Sequence, residues 1–261
     1  MHVARGLEHL AASTEPAFVV VGVFDGLHLG HAYLLEHLVA EARRRHARPV
    51  VITFDHHPDE ILTGSAPPLL CDPDERLELF EAAGVEATVV VHFDQLLRET
   101  TYGAFVAMIG ARGPIGGFLM TPDAAFGYRR GGTPATLAEL GRIAAFEVVV
   151  VPPFELGGHP VRSTDVRAAI AAGDLSLAGR LLGRDHAVIG EAVPAARETV
   201  IRFPLPVALP PDGSWAAAIT GDGAPAAVVA IVADGSLRLP GATLEGRTRI
   251  AFPADGDTSG T

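Results

Sequence analysis

Between residues 17 and 183 the chain alternates short apolar runs with longer segments in which apolar residues recur at helical spacing. The apolar runs occupy 17–24, 49–54, 87–91, 115–120 and 147–151. Short runs rich in Val and Ile, without polar alternation, are typical of parallel strands buried on both faces. The segments between them predict helices, since Pro or Thr opens and Gly closes several of them. These helices are expected at 29–45, 73–84, 101–109 and 134–145. The alternation predicts an α/β fold with a doubly wound, Rossmann-like parallel sheet.

The pattern changes near residue 186. Two short helical stretches, separated by Gly173-Asp174 and closed by Gly183, come before the change. Beyond it, apolar stretches broken by Pro, Gly and Asp predict a small antiparallel β-barrel or sheet, in which the proline-rich stretch 194–211 is unsuited to a central strand. We expect three regions: an α/β domain over 1–185, a β-barrel-like domain over 186–252 and a disordered tail over 253–261.

Composition excludes several kinds of chemistry. The formal net charge is −11, which argues against a general nucleic-acid binder. All 20 Lys-plus-Arg positions are arginine, so a P-loop lysine, a kinase-type lysine and a Schiff-base lysine are impossible. The single cysteine, Cys71, excludes an intramolecular disulfide and a multi-cysteine metal site. No apolar run is long enough to span a bilayer and no signal peptide is evident, so we expect a cytoplasmic protein without a membrane partner.

The strongest local signal is the passage VVVGVFDGLHLGH at 19–31, where a buried strand ends and a helix begins. Ligands of open α/β sheets bind beyond the carboxyl ends of the strands, and a helix start offers free N–H groups to an anion. His28 and His31 are three residues apart and can face one polyphosphate, while Gly30 lets a nucleotide approach the backbone. A structural histidine pair is the alternative, and a zinc pair is another, although no convincing third ligand is evident.

A second signal is RSTDVR at 162–167, after the fifth predicted strand. Ser163 or Thr164 is expected to cap the next helix, with Arg167 in its first turn or just beyond. Hydroxyls, N–H groups and a guanidinium at one helix start suit phosphate oxygens. Plain capping beside a surface arginine is the alternative.

Two loops after other strands are weaker candidates. The loop at 123–132 is rich in Gly and Arg; it could cover a ligand, with Phe126 or Tyr128 against a ring and Arg129 or Arg130 on a phosphate, or it could be a solvated loop. The segment TFDHHP at 53–58 places adjacent histidines past the second predicted strand, where exposure is the commoner outcome.

Four motifs occur in one order along the chain: GVFDGLHLGH, TFDHHP, AFGYRRGG and RSTDVR. Together they resemble the bacterial FAD synthetases, which are bifunctional riboflavin kinase/FMN adenylyltransferases, over about residues 17–186. The resemblance implies a nucleotidylyltransferase-type α/β domain that transfers AMP from ATP to FMN. ATP and FMN would be the substrates, FAD the product, and Mg²⁺ would accompany ATP without a protein-bound metal site.

The resemblance also implies roles for individual positions. His28 and His31 would be the catalytic pair at the ATP phosphates. The residues implied to bind ATP or its phosphates are Gly22, Phe24, Asp25, Gly30, Ser163, Thr164 and Arg167. The residues expected around the flavin and nucleotide pocket are Asp123, Phe126 and Arg129.

The C-terminal region departs from the family. RFPLPVALPPDGSWAA resembles the kinase segment, but Leu205 and Val207 stand where the family has Thr and Asn. Aliphatic side chains offer no oxygen to a magnesium ion, so we expect riboflavin kinase activity to be absent. Three alternatives to FMN adenylyltransferase remain. One is transfer to another phosphorylated acceptor, suggested by the altered loop 121–125, in which Ala124 stands where the family has an aromatic residue. The others are a non-catalytic flavin- or nucleotide-binding protein and a zinc-dependent enzyme that uses the histidines.

Overall fold

The computed structural model describes residues 1–221 and 224–254 of the 261-residue chain. These residues form two compact units, each assembled from separate stretches of sequence. The first unit comprises Met1–Phe24, Gly30–Pro67 and Pro73–Glu155. The second comprises Asp25–Leu29, Pro68–Asp72 and the described chain from Leu156 onward. Two short segments of the second unit, Asp25–Leu29 and Pro68–Asp72, are therefore flanked on both sides by sequence of the first unit.

The first unit is built on a six-stranded parallel sheet, which confirms the α/β prediction. Its strands are β1 (His2–Arg5), β2 (Ala17–Val21), β3 (Arg48–Phe54), β4 (Ala87–Val91), β5 (Ile115–Met120) and β6 (Glu147–Val150). Their order is β1-β4-β3-β2-β5-β6, and every neighbouring pair is parallel. All five predicted runs are strands. The pattern does not predict β1, because only Ala4 of its four residues is buried.

Helices join successive strands of this sheet. They are α1 (Leu29–Arg44), α2 (Pro58–Thr63), α3 (Pro73–Ala82), α4 (Gln95–Glu99), α5 (Tyr102–Gly110) and α6 (Pro134–Ala144). Thr101 caps α5 as predicted, its hydroxyl accepting the Ala104 N–H at 3.2 Å. The central strands explain the continuous apolar runs: in β3 and β4 every residue except Arg48 is buried.

In the second unit, two helices precede a closed barrel. After the two-stranded ribbon of β7 (Glu155–Leu156) and β8 (His159–Pro160), the helices are α7 (Ser163–Ala171) and α8 (Leu175–Leu182). The barrel strands are β9 (His186–Ala195), β10 (Glu198–Arg202), β11 (Gly213–Thr220), β12 (Ala226–Ala233), β13 (Ser236–Pro240) and β14 (Gly246–Phe252). The barrel is antiparallel and closes in the order β10-β13-β12-β11-β14-β9. This confirms the predicted barrel.

One expectation for the barrel is wrong. Strand β10 lies inside the proline-rich stretch 194–211, yet it pairs with β9 on one side and β13 on the other. The strand itself, ETVIR, contains no proline, so its N–H groups remain available to both ladders. Proline content averaged over the whole stretch hides this short strand.

The predicted domain limits after residues 185 and 252 remain predictions. Of the expected tail at 253–261, only Pro253 and Ala254 are among the described residues. Across the described ranges, no helix is both long enough and apolar enough to cross a lipid bilayer.

Candidate phosphate-binding site

The turn that follows β2 has an unusual backbone. Phe24, Gly26 and Leu27 all have positive φ, at 54°, 81° and 34°. A positive φ is costly for Phe and Leu, so the surrounding structure must hold this turn in place. At Gly26 a side chain would also clash, because a Cβ there would lie 2.9 Å from the Cβ of Leu70. The turn is therefore a fixed feature at the carboxyl end of a buried strand.

Asp25 is the centre of the contacts that hold this turn. Its side chain is buried, with 4% exposure. The two carboxylate oxygens accept the Leu70 N–H at 3.0 and 3.1 Å, and one of them pairs with Nη2 of Arg167. The backbone carbonyl of Asp25 accepts the Ser163 hydroxyl at 3.1 Å. Asp25, Ser163 and Arg167, which the sequence analysis placed in one site, are brought together.

The start of α7 corrects one sequence expectation. Neither Ser163 nor Thr164 is the N-cap; the cap position is Arg162, and Ser163 is the first helical residue. Asp165 completes the helix start by accepting the Arg162 N–H at 3.2 Å. Ser163 was expected to cap because Ser is a favoured cap residue, but its hydroxyl instead donates to Asp25. Thr164 is exposed on the first turn of the helix.

Arg184 adds further contacts to this turn within the second unit. Its Nη2 donates to the Gly26 carbonyl at 2.8 Å and its Nη1 to the Leu27 carbonyl at 3.1 Å. Sequence reasoning missed this residue, since a single arginine after a helix-ending glycine carries no motif. Its importance comes from a contact between residues 157 positions or more apart in the chain.

The first unit contains a comparable arginine, also missed. Arg76 of α3 is buried, with 7% exposure. It donates to the carbonyls of Val23 and Phe54 at 2.8 and 2.9 Å. These carbonyls lie just past β2 and at the end of β3, so Arg76 fixes the carboxyl ends of two neighbouring strands.

His28 is a buried histidine in a positively charged environment. It is 4% exposed and directly precedes α1. Burial lowers the pKa of His28 to about 4, and the positive charges of Arg184 and Arg167 contribute in the same direction. The imidazole is therefore neutral at pH 7. A buried neutral imidazole near two guanidinium groups suits an anionic ligand, because the anion would offset the positive charge.

The other histidine of the pair, His31, lies on the first turn of α1 in the first unit and is partly buried. Its ring centroid is 5.2 Å from that of Phe24. Phe24 is 2% exposed and also packs edge-on against Phe80 at 5.4 Å. The Phe24 side chain therefore supports His31 from the core. Gly22 extends the strand, its N–H donating to Ile52 at 3.0 Å, and Gly30 lies within the first turn of α1.

The loop after β5 is closed by its own contacts. Phe126 and Gly132 exchange two backbone hydrogen bonds, of 3.2 and 2.9 Å. The Asp123 carboxylate accepts the Thr121 hydroxyl at 2.8 Å, and the Asp123 carbonyl accepts from Arg130 at 3.0 Å. These hydrogen bonds give the loop a defined backbone, and its role as a cover for a ligand stays a prediction.

The aromatic residues of this loop differ in environment. Phe126 packs against Phe105 and Phe118, with ring centroids 5.5 and 6.0 Å apart, and so joins the core. Tyr128 is 40% exposed, with the guanidinium carbon of Arg129 5.1 Å from its ring centroid. Tyr128 and Arg129, rather than Phe126, are the side chains presented to solvent.

Leu205 and Val207, which stand where the family has Thr and Asn, lie in different surroundings. Leu205 is 38% exposed. Val207 forms an isolated parallel bridge with Leu69, through hydrogen bonds of 2.9 Å from Leu69 N–H to Pro206 and 2.8 Å from Ala208 N–H to Leu69. Residues 68–72 therefore connect the barrel to Asp25 within the second unit.

Taken together, the fold and this site define a class: a Rossmann-like α/β protein joined to a small β-barrel, with a cationic cluster at the turn after its second strand. A sequence profile of the FAD synthetase family matches residues 10–165, which is more than half of the chain. The chain belongs to the FAD synthetase family.

Curated relatives agree with this assignment. The bifunctional riboflavin kinase/FMN adenylyltransferase of Escherichia coli K12 is 33% identical over 196 residues, covering 74% of this chain and 63% of that protein. The protein of the same description from Haemophilus influenzae Rd is 30% identical over 195 residues, again covering 74% and 63%. The match thus spans less than two thirds of the length of these relatives.

A solved structure supports the fold over the whole chain. A macrolide-efflux protein from Streptococcus pneumoniae, as its crystal structure is described, aligns with 100% of this chain and 91% of its own, at a TM-score of 0.83. The sequence identity is 22%, so this likeness shows the fold and nothing about function.

Proposed function

We propose that this protein is an FMN adenylyltransferase, which transfers AMP from ATP to FMN to give FAD and pyrophosphate. One observation carries the proposal: in a chain of the FAD synthetase family, His28 is buried beside Arg167 and Arg184 at a rigid turn after a parallel strand. Such a cluster is built for a group with several negative charges, as the phosphates of ATP are.

His28 and His31 are the proposed catalytic residues at the phosphates of ATP. In the free protein His28 is neutral, so one of its ring nitrogens can donate an N–H hydrogen bond and the other can accept a hydrogen bond or a proton. The triphosphate brings negative charge that offsets the two arginines, and the pKa of His28 should then rise. A histidine that gains positive charge as the phosphates arrive stabilises the charge that develops during transfer.

Ser163, Thr164 and Arg167 are the proposed binding residues for the departing pyrophosphate. Asp25 and the Pro68 carbonyl orient the Arg167 guanidinium through Nη2 and, at 2.8 Å, through Nε. We assign the remaining nitrogen of the Arg167 guanidinium, Nη1, to the ligand. The α7 N-terminus, with exposed Thr164, adds N–H groups and a hydroxyl.

The turn residues have supporting roles in this proposal. Gly22 and Gly30 allow close approach of the nucleotide to the backbone. The buried side chains of Phe24 and Asp25 fix the turn, so their contribution to ATP binding comes through its backbone and through Arg167.

Mg²⁺ is proposed to enter with ATP. The charged groups that lower the pKa of His28 are guanidinium groups, and the buried carboxylate of Asp25 is engaged by Arg167 and Leu70. The donor set fits phosphate oxygens and not a magnesium ion, which prefers oxygen ligands. The ion would neutralise part of the phosphate charge while bound to the phosphates themselves.

The proposed reaction is a direct in-line displacement. A phosphate oxygen of FMN attacks the α-phosphorus of ATP, an α-phosphorus–oxygen bond forms, and the bond to the bridging α,β-oxygen breaks with its electron pair leaving on pyrophosphate. No covalent enzyme intermediate is needed. Positioning and charge neutralisation supply the rate enhancement, which an arginine- and histidine-based site can provide without lysine.

The loop after β5 is the proposed wall of the flavin and nucleotide pocket, through Asp123, Phe126 and Arg129. Phe126 forms the rigid base of the loop, and Arg129 is exposed for a phosphate contact. A second candidate function is transfer to a different phosphorylated acceptor. It is favoured by one observation: Ala124, at a position where the family has an aromatic residue, packs against the core and offers no ring to a flavin.

We also propose that riboflavin kinase activity is absent. The side chains of Leu205 and Val207 carry no oxygen, and the backbone around Val207 forms the bridge with Leu69. The segment therefore has a structural role in the second unit.

The experiment that tests the function measures pyrophosphate release from ATP with FMN, with riboflavin, with other phosphorylated acceptors and with no acceptor, and identifies products by mass. FAD formed from FMN alone supports the main proposal. Release only with another phosphorylated acceptor supports the second candidate. ATP binding without pyrophosphate release under any condition would make the protein a binding protein and overturn both.

A further inference from the structure

A second group of polar side chains lies at the carboxyl edge of the sheet, in the first unit, and has no part in the proposed transfer. Strands β3 and β4 are parallel neighbours, with Phe54 opposite Val91. Asp55 and His92 are the residues directly after these strands, and the Asp55 N–H donates to the Val91 carbonyl at 3.1 Å. The sheet therefore fixes Asp55 and His92 side by side, and His56 follows in sequence.

The three side chains converge on the Asp55 carboxylate. Oδ2 of Asp55 lies 2.7 Å from Nδ1 of His92, and Oδ1 lies 3.1 Å from Nδ1 of His56. Oδ1 also accepts the Phe93 N–H at 3.2 Å, which holds the carboxylate in place. One ligand atom from each of Asp55, His56 and His92 can be chosen so that all three lie within 4.8 Å of one another.

These separations are shorter than the spacing that a metal ion imposes. At metal–ligand distances of about 2.0–2.2 Å, the ligand atoms of a tetrahedral ion are about 3.3–3.6 Å apart. The two nitrogen–oxygen distances, to different oxygens of the Asp55 carboxylate, are hydrogen-bond distances, so a small outward movement of the exposed imidazoles is needed to admit an ion. The side chains of His92 and His56 are 66% and 42% exposed, so an ion can reach them from solvent.

We propose that Asp55, His56 and His92 form a binding site for a divalent transition-metal ion of the Zn²⁺ class. Two imidazoles and one carboxylate are the ligand set that suits Zn²⁺, Co²⁺ or Ni²⁺, whereas Mg²⁺ and Ca²⁺ prefer oxygen ligands alone. Three protein ligands leave at least one coordination position open to water or to an anionic oxygen. The site is thus distinct in metal class from the magnesium that accompanies ATP.

The bound ion would occupy the space where Nδ1 protons now bridge to the carboxylate. Each imidazole must present an unprotonated nitrogen to the metal: a neutral ring does so by moving its proton from Nδ1 to Nε2, and a protonated ring must first release a proton. Binding therefore weakens as the pH falls. In the absence of metal the same three residues form a hydrogen-bonded cluster. That cluster alone is the competing interpretation, and it predicts no tight or stoichiometric metal uptake.

The test uses full-length, tag-free protein that has been stripped with a chelator and dialysed. Zn²⁺ binding is measured by isothermal titration calorimetry, and Co²⁺ is used as a second probe because its visible absorption reports coordination number and ligand type. The variants are His56→Asn, His92→Asn and Asp55→Asn. His46→Asn is the matched control: it removes an exposed imidazole at φ 52°, a backbone conformation that Asn tolerates. Circular dichroism establishes that each variant is folded.

We expect one Zn²⁺ per chain for the unaltered protein and for His46→Asn. Each of the three ligand variants should bind Zn²⁺ at least about tenfold more weakly and lose the Co²⁺ absorption band. No stoichiometric uptake by the unaltered protein would overturn the proposal. Uptake that is unchanged in folded His56→Asn and His92→Asn would overturn it equally, because the ion would then be held elsewhere.

Discussion

The molecule contains two histidine sites with opposite electrostatics. His28 in the second unit is buried near Arg184 and Arg167, and burial together with these positive charges lowers its pKa to about 4. His92 in the first unit is exposed, and its hydrogen bond to Asp55 raises its pKa above the ordinary value. Partial burial alone would raise the pKa of Asp55, but hydrogen bonds from His92, His56 and the Phe93 N–H together lower it.

The contrast between His28 and His92 indicates that neighbouring charge and burial, rather than residue type, decide whether a histidine suits an anion or a cation. A neutral imidazole beside guanidinium groups leaves a surplus of positive charge for an anion. An imidazole held by a carboxylate is part of a site with negative charge, which suits a cation. Under the two proposals, one residue type serves two kinds of ligand in one chain.

The largest effect should come from removing the buried histidine. His28→Ala should lower kcat for FAD formation by about 10²- to 10³-fold, the usual cost of losing one group that stabilises developing charge. His9→Ala, an exposed histidine of the first unit, is the control and should retain full activity. Steady-state assays with ATP and FMN provide the measurement. Near-full activity in His28→Ala would show that His28 has no catalytic role in the reaction.

The next effect compares the carboxylates of the two sites. Asp25→Asn leaves the partly buried Arg167 without its charged partner and should lower the free energy of unfolding by about 3 kcal/mol. Asp55→Asn, at an exposed cluster, should cost less than about 1 kcal/mol. Urea unfolding of both variants measures the difference. An equal loss in the free energy of unfolding for both variants would show that the Asp25 carboxylate stabilises the fold no more than the Asp55 carboxylate does.

Acid should destabilise the protein through His28. Because the folded-state pKa is about 4 and the ordinary value is 6.5, the unfolded chain takes up a proton in this interval before the folded chain does. The contribution is absent above pH 6.5 and grows as the pH falls toward 4. Between pH 7 and pH 5 it should remove about 2 kcal/mol of stability.

Urea unfolding at several pH values measures this loss, with His28→Asn as the comparison. The variant has no titrating group at this position, so its stability should fall less over the same interval. If both proteins lose stability in parallel, the pKa of His28 is not lowered in the folded state.

The smallest effect concerns two left-handed glycines. Gly64 and Gly173 have φ of 82° and 76°. A Cβ at Gly64 would meet nothing within 4 Å, whereas one at Gly173 would lie 2.8 Å from the Trp215 ring. Gly64→Ala should cost about 1 kcal/mol for backbone strain alone. Gly173→Ala should cost more and should alter the emission of Trp215, the only tryptophan.

The sequence predicts the sheet well and the site less completely, for a physical reason. Strands β3 and β4 are buried on both faces, so their apolar runs are unmistakable, whereas β1 and β10 are short and partly polar. Long-range contacts leave no such pattern. Arg184 and Arg76 act through carbonyls far away in sequence, and Ser163 forms a distant hydrogen bond where local preference predicts a cap.

The proposed metal site of Asp55, His56 and His92 illustrates the same limit. The adjacent histidines at 56 and 57 stand out in the sequence, but His57 turns out to cap α2, its Nδ1 accepting the Asp59 N–H at 3.2 Å. The partner that matters is His92, 37 residues from Asp55. Only the parallel pairing of β3 and β4 places it beside the carboxylate.

The most direct test of the proposed function follows the phosphorus atoms of ATP. Purified protein is incubated with FMN and ATP labelled at the α-phosphate, and separately with riboflavin and ATP labelled at the γ-phosphate. The account predicts label in FAD from the first mixture and no labelled FMN from the second. Labelled FMN would show that the protein has riboflavin kinase activity, against the proposal. The absence of labelled FAD despite bound ATP and FMN would contradict the central claim of adenylyl transfer.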